Sequence, residues 1–125
     1  MRSVLRRGIA VATLGLASIA LAQEEYPVFD DPTLRLGREV WIETCLACHT
    51  TDFAGAPEVT DAAAWAPRLQ QDRSVLYSHA LNGFSGPTGT EMPARGGNPT
   101  LSDDQVRAAV DYMTALVESL TGDNP

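Results

Sequence analysis

Both cysteines of this 125-residue chain fall in one run of five residues, Cys45-Leu46-Ala47-Cys48-His49, together with one of its two histidines. Side chains at positions i, i+3 and i+4 share one face of a helical turn. The run therefore demands local helix and sends two thiols and an imidazole to one place. A structural disulfide does not explain the pair, because cysteines three apart close a strained, tiny loop of little entropic value.

The beginning of the chain is read as a leader. Arg2, Arg6 and Arg7 precede an apolar run over residues 8–22 that closes with Ala20-Leu21-Ala22. A basic start, an apolar stretch of about 15 residues and a small-residue end make a secretory signal peptide. A membrane-spanning helix needs roughly 17 to 25 apolar residues. Cleavage is expected after Ala22, with retention as an anchor the alternative, and Gln23 in place of cysteine argues against a lipoprotein. Residues 1–22 are thus assigned to the signal peptide and 23–125 to one domain, since about 100 residues build one modest core and not two. Beyond position 22, six arginines and no lysine stand against 16 acidic residues, a charge of −10. Such a surface speaks against nucleic acid or an anionic membrane and suits a basic protein partner; an acidic proteome or a saline habitat accounts for it equally well.

Helical signals follow. Asp31-Pro32 offers an N-cap and a proline at the first helical position. The inward face of that helix carries Leu34, Gly37, Val40, Trp41 and Cys45, which leads it straight into the five-residue run. Residues 50–60 read as a loop, Asp61 caps a short helix that tolerates Pro67 and reaches about Gln70, and residues 74–82 form another helix stopped by Gly83. A glycine- and proline-rich stretch over 84–99, with Met92 in its middle, reads as a long functional loop. In the last helix Ser102 and Gln105 form a capping box, Leu101 and Val106 the hydrophobic staple, and Gly122 the stop. Its apolar stripe is Val106, Ala109, Val110, Met113, Leu116, Val117 and Leu120. No comparable period-2 stretch exists, so the chain is assigned to the all-α class.

In an exported protein, Cys-x-x-Cys-His is the attachment motif of haem c. Cys45 and Cys48 would form thioethers to the two vinyl groups, and His49 would be the proximal iron ligand. A thioredoxin-like redox pair would need a βαβ setting, which the sequence lacks, and a zinc site would need four protein ligands, whereas the only other histidine, His79, lies 30 residues on. For the sixth iron position there are three candidates, Met92, Met113 and His79. Met113 lies on the apolar stripe, where a core role is the default, and His79 sits on the short helix. Met92 has no packing period to explain it, and a methionine thioether raises the potential of a haem carrier, so it is preferred over an open or His79-ligated iron.

These residues resemble the class I c-type cytochromes. Gly37-Arg-Glu-Val-Trp41 followed by the haem motif looks like that family's N-terminal helix, whose glycine and aromatic pack against the C-terminal helix, here around Tyr112 and Met113. The stretches at 55–57, 61–68, 80–83, 92–97 and 101–104 are similar to the cytochrome c5 subgroup. The resemblance implies a small cytochrome c fold with its N- and C-terminal helices packed across each other around one covalently bound haem. It implies that the Pro57 carbonyl accepts the His49 N–H and that Met92 is the distal ligand. It also places Trp65 and Arg68 near the haem's polar edge, as propionate partners or as plain packing and a solvated arginine. Members of the subgroup often carry a second cysteine pair at the methionine loop; this chain lacks it, so its loop must rely on prolines and packing.

The function expected from these features is a soluble periplasmic monohaem electron carrier, not an enzyme, docking redox partners that bear a basic patch. Two alternatives are an electron-relay subunit of a larger periplasmic oxidoreductase and an open-site haem gas sensor.

Overall fold

The computed structural model describes residues 26–122; the leader and its cleavage point lie outside the described residues. The chain is helical. Its elements are α1 (Pro32–Val40), a π-helical turn (Trp41–Cys45), α2 (Leu46–His49), α3 (Ala62–Leu69), α4 (Arg73–Asn82), a two-residue hairpin of β1 (Phe84–Ser85) and β2 (Glu91–Met92), and α5 (Asp103–Thr121). Short 3₁₀ turns lie at Phe53–Gly55 and Ala94–Gly97.

Local chemistry starts and stops these helices as the sequence suggests. The Asp31 carboxylate accepts the backbone N–H groups of Thr33 at 2.8 Å and Leu34 at 3.0 Å, satisfying two donors that the first turn leaves without partners. Asp31→Ala is expected to cost about 1 kcal/mol, seen as a lower urea midpoint at unchanged slope. Asp61 caps α3 through Ala64 N–H at 3.0 Å. On α5 both halves of the capping box form, with Ser102 and Gln105 exchanging bonds of 2.9 and 3.2 Å. Asp72 caps the helix expected over 74–82 by accepting the Ser74 N–H at 2.8 Å, so α4 begins one residue earlier, at Arg73.

Three features depart from the sequence reading. The first helix does not run on as an α-helix into Cys45: the N–H of Leu46 reaches back to the carbonyl of Trp41, an i→i+5 bond that inserts a π turn. Each residue of an α-helix turns about 100°, so the inserted residue resets which face the cysteines present. The stretch over 84–99 contains a small antiparallel ladder with Phe84 opposite Met92 and Ser85 opposite Glu91. Finally, the apolar stripe of α5 ends at Val117, because Leu120 lies past the packed region and is 46 % exposed.

The core sits where α1 crosses α5. Trp41, Tyr112, Leu116 and Val117 are fully buried there, with Val59 and Trp65 in the same cluster. Gly37 makes the crossing possible: a Cβ on it would stand 1.9 Å from the Ala108 carbonyl oxygen and 2.9 Å from the Tyr112 Cβ. The contact partners are thus Ala108 and Tyr112: Tyr112 is the partner expected from the sequence, and Ala108, one turn earlier on α5, takes the place expected of Met113. The segment ahead of α1 closes over the same crossing, with Tyr26 edge-on to Trp41 at 4.9 Å and the Tyr112 hydroxyl donating to the Pro27 carbonyl at 3.0 Å. A second cluster of Ala80, Val106 and Val110 joins α4 to α5, and Leu101 packs on it as the staple requires. Among the described residues no helix is long and apolar enough to cross a membrane.

Candidate haem site

The π turn and α2 deliver Cys45, Cys48 and His49 to one wall of a cleft of about 420 Å³, a volume in the range of small-molecule and cofactor pockets. Side-chain hydroxyls end that wall: Thr50 donates to the Leu46 carbonyl and Thr51 to the Ala47 carbonyl, both at 2.7 Å. The chain then turns back, the Val59 N–H bonding the His49 carbonyl at 2.9 Å. This return brings the Pro57 carbonyl to 2.9 Å from His49 Nδ1. A carbonyl oxygen can only accept, so the ring nitrogen is the donor, and the tautomer follows: Nδ1 carries the proton and Nε2 keeps its lone pair. Burial pushes the imidazole's pKa down, the Pro57 bond opposes that, and the positive charge of Arg68 adds to the lowering. A neutral, oriented imidazole results. Cys45 is pushed up to about 11, by burial first and by the proximity of Cys48 second, so it is a thiol at neutral pH.

The remaining walls come from every other element. Trp65 and Arg68 stand on α3, Leu76, His79 and Ala80 on α4, Phe84 and Met92 on the hairpin, and Val110, Met113 and Thr114 on α5. All of the site residues proposed from sequence therefore line one cleft, Pro57 included, and so do the two competing ligands Met113 and His79. Their settings differ. Met113 is buried in the main core with Trp41 and Leu116, whereas Met92 is half-buried on β2 and packs against the α4–α5 cluster. Trp65 does not hold its indole N–H free for a propionate: it donates to the Glu58 carbonyl at 2.8 Å, which fixes the return loop under Val59. The Arg68 guanidinium bonds the Ala64 carbonyl of its own helix.

Sequence reasoning overlooked what holds the methionine loop. Arg95, at φ 55°, donates to the Leu101 carbonyl at 2.8 Å and to Asp103 at 2.6 Å, tying the loop to the first turn of α5. Gly96 beside it lies so close to Thr44 that a Cβ would meet the Thr44 methyl at 2.8 Å. The lone arginine in that loop was the available signal, but its partner depends on the fold. Phe53 and Phe84, 66 % and 37 % exposed, form an aromatic rim on the cleft that no periodicity announces.

The fit to a tetrapyrrole is direct: an apolar cleft, two thiols on one helical turn, a nitrogen lone pair prepared by a backbone bond, and thioether sulfur from another element. Fold and cleft define a c-type haem protein. Comparison with known proteins agrees. Residues 32–113 match the family described as cytochrome c oxidase, cbb3-type, subunit III. Cytochrome c-555 of Chlorobaculum tepidum is 47 % identical over 77 residues, covering 62 % of this chain and 70 % of that one. Cytochrome c5 of Azotobacter vinelandii is 34 % identical over 84 residues, covering 66 % and 95 %. A chain in a crystal structure of an electron transfer complex of nitrite reductase with cytochrome c superposes with a TM-score of 0.57 at 36 % identity, covering 70 % of this chain and 96 % of that chain. The chain belongs to the class I c-type cytochromes. It binds one haem c covalently and is an electron-transfer protein.

Proposed function

We propose that the protein is a periplasmic carrier of single electrons, with Cys45 and Cys48 holding the haem by thioether bonds, His49 as proximal ligand and Met92 as distal ligand. When bound, the haem supplies a one-electron couple between ferric and ferrous iron. The observation that carries the reading is the 2.9 Å bond from buried His49 Nδ1 to the Pro57 carbonyl, within a cleft that both cysteines and Met92 line. That bond orients the ring and raises its basicity. The Met92 thioether, a soft neutral donor, favours reduced iron and hence a raised potential. Leu76, Ala80, Val110 and Met113 exclude water from the cleft, which lowers the reorganisation of solvent when charge changes.

The rim suits contact with a redox partner. Phe53 and Phe84 offer exposed apolar surface beside the cleft. Of the six arginines beyond the leader, Arg73, Arg95 and Arg107 pair with Asp111, Asp103 and Asp104, while Arg35, Arg38 and Arg68 bond the backbone carbonyls of Asp30, Tyr26 and Ala64. With 16 acids against six arginines beyond the leader, the surplus acids set the field a partner meets, and a basic docking patch is the complement, with an attraction that added salt screens.

The test is the optical spectrum of protein matured with periplasmic haem attachment. The expected result is a c-type reduced spectrum together with the weak far-red sulfur-to-iron band in the oxidised form. Covalent haem without that band would move the reading to an open-site sensor, and the absence of bound haem would overturn it.

A further inference from the structure

The chain has three asparagines, Asn82, Asn98 and Asn124, and the last two precede proline. A proline nitrogen carries no hydrogen, so neither of those side chains can be attacked by the nitrogen of the next residue. Asn82 is followed by Gly83, which has no Cβ to crowd its own nitrogen. The pair ends α4. Asn82 is exposed, its side-chain amide bonding Ser78 Oγ one turn back at 3.3 Å. The Gly83 N–H has no hydrogen-bond partner among the described residues. A nitrogen free to react and an amide carbonyl thus stand on adjacent residues at a helix terminus, where the last turn frays.

The same pair abuts the methionine loop. Gly83 lies at φ 85°, and a Cβ on it would stand 3.0 Å from the Met92 carbonyl oxygen and 3.1 Å from the Ala94 nitrogen. Its neighbour Phe84 faces Met92 in a ladder of two residue pairs, the other being Ser85 with Glu91. Arg95 ties the far side of the loop to α5. On the near side the position of Met92 is set by this short ladder and by the contact with Gly83, so it depends on the length of backbone over residues 82–84.

We propose that Asn82-Gly83 is a self-modifying site, at which Asn82 deamidates through a cyclic imide and the resulting isoaspartate loosens the seat of Met92. That consequence rests on the carrier reading above. The Gly83 nitrogen attacks the Asn82 side-chain carbonyl carbon: a C–N bond forms, the amide proton passes to solvent, and the bond to Nδ2 breaks with release of ammonia. Solvent water then opens the imide at either carbonyl, and nothing is oxidised or reduced. Opening at the side-chain carbonyl leaves aspartate. Opening at the main-chain carbonyl sends the chain through the former side chain, so one methylene enters the backbone between α4 and β1. Phe84 then meets Met92 out of register, and the thioether is drawn from its place in the cleft. Either product also adds negative charge at the C-terminal end of α4, where the helix dipole opposes it.

Ageing the holoprotein in warm, mildly alkaline buffer, which favours loss of the amide proton, tests it, with Asn82→Gln and Asn82→Glu beside the parent. Glutamine keeps the amide but would have to close a larger ring, and glutamate brings the charge without the added backbone methylene. Peptide mapping by mass spectrometry should find the acid form at position 82 of the parent while Asn98 and Asn124 stay amides, and labelling by an isoaspartyl methyltransferase should measure the isoaspartate. In the acidic fraction separated by anion exchange, the far-red band should be lost, and carbon monoxide bound by the ferrous protein, in proportion to isoaspartate content. Both aged variants should keep the band. An intact Asn82 in the aged parent, or an isoaspartyl fraction with its full far-red band, would overturn the inference and leave the carrier reading standing. Fresh parent without that band would overturn the Met92 reading, and with it the loss expected here.

Discussion

Gly37→Ala is expected to cost roughly 3 kcal/mol or more, despite alanine being the better helix former by up to about 1 kcal/mol. The reason is geometric. The added methyl would stand 1.9 Å from the carbonyl oxygen of Ala108, which belongs to the backbone of α5 and cannot rotate away. Relief requires α1 and α5 to separate, and that opens the cluster of Trp41, Tyr112, Leu116 and Val117 that fills their crossing. Against a typical total stability of 5 to 15 kcal/mol, this is a large fraction. Urea unfolding of the holoprotein measures it, the expected signature being a much lower midpoint at unchanged slope. Adding Ala108→Gly should bring no rescue, because the obstacle is the carbonyl and not the alanine methyl. A parent-like midpoint would mean that the helices do not approach at Gly37.

Met92→Ala carries the second large effect. With Met92 the distal ligand, as proposed above, removing the thioether takes away the soft donor that favours reduced iron, and the midpoint potential should fall by on the order of 100 mV. The far-red band should vanish, and the ferrous protein should bind carbon monoxide readily. Fold stability should change less, since Met92 is half-buried at the edge of the α4–α5 cluster and not in the main core. Two other side chains line the cleft and give the experiment its contrast. If the band survives in Met92→Ala and disappears in Met113→Ala, the distal sulfur is Met113; if Met92→Ala refuses carbon monoxide, His79 has taken the position.

The haem run illustrates how far a sequence speaks for itself. Cys45, Cys48 and His49 fall on one helical turn by their spacing, and that turn forms through bonds between residues four apart, so no distant part of the chain is needed to read it. The π turn immediately before it was not legible. Nothing in Trp41-Ile-Glu-Thr-Cys45 forbids an ordinary α-helix; the extra residue is accommodated where the burial of Trp41 and the seating of the cysteines make separate demands on one helix. Trp65 teaches the same lesson. Its place beside the cleft could be carried over from the family, but the acceptor of its N–H, the Glu58 carbonyl, is set by how residues 50–60 return over His49.

What the sequence determined by itself is local: the helix starts at Asp31, Asp61 and Ser102, the stop at Gly122, the apolar stripe of α5 as far as Val117, and the attachment run. Each depends on interactions spanning at most one or two helical turns, whose energetics are the same in any fold. Tertiary structure alone decided that Gly37 meets Ala108, that Arg95 takes the place of a second cysteine pair by holding the methionine loop to Leu101 and Asp103, and that His79 reaches the cofactor cleft against Phe84. These pairings join elements distant in sequence, so their partners exist only once the helices have crossed and the buried surface has chosen which side chains come together.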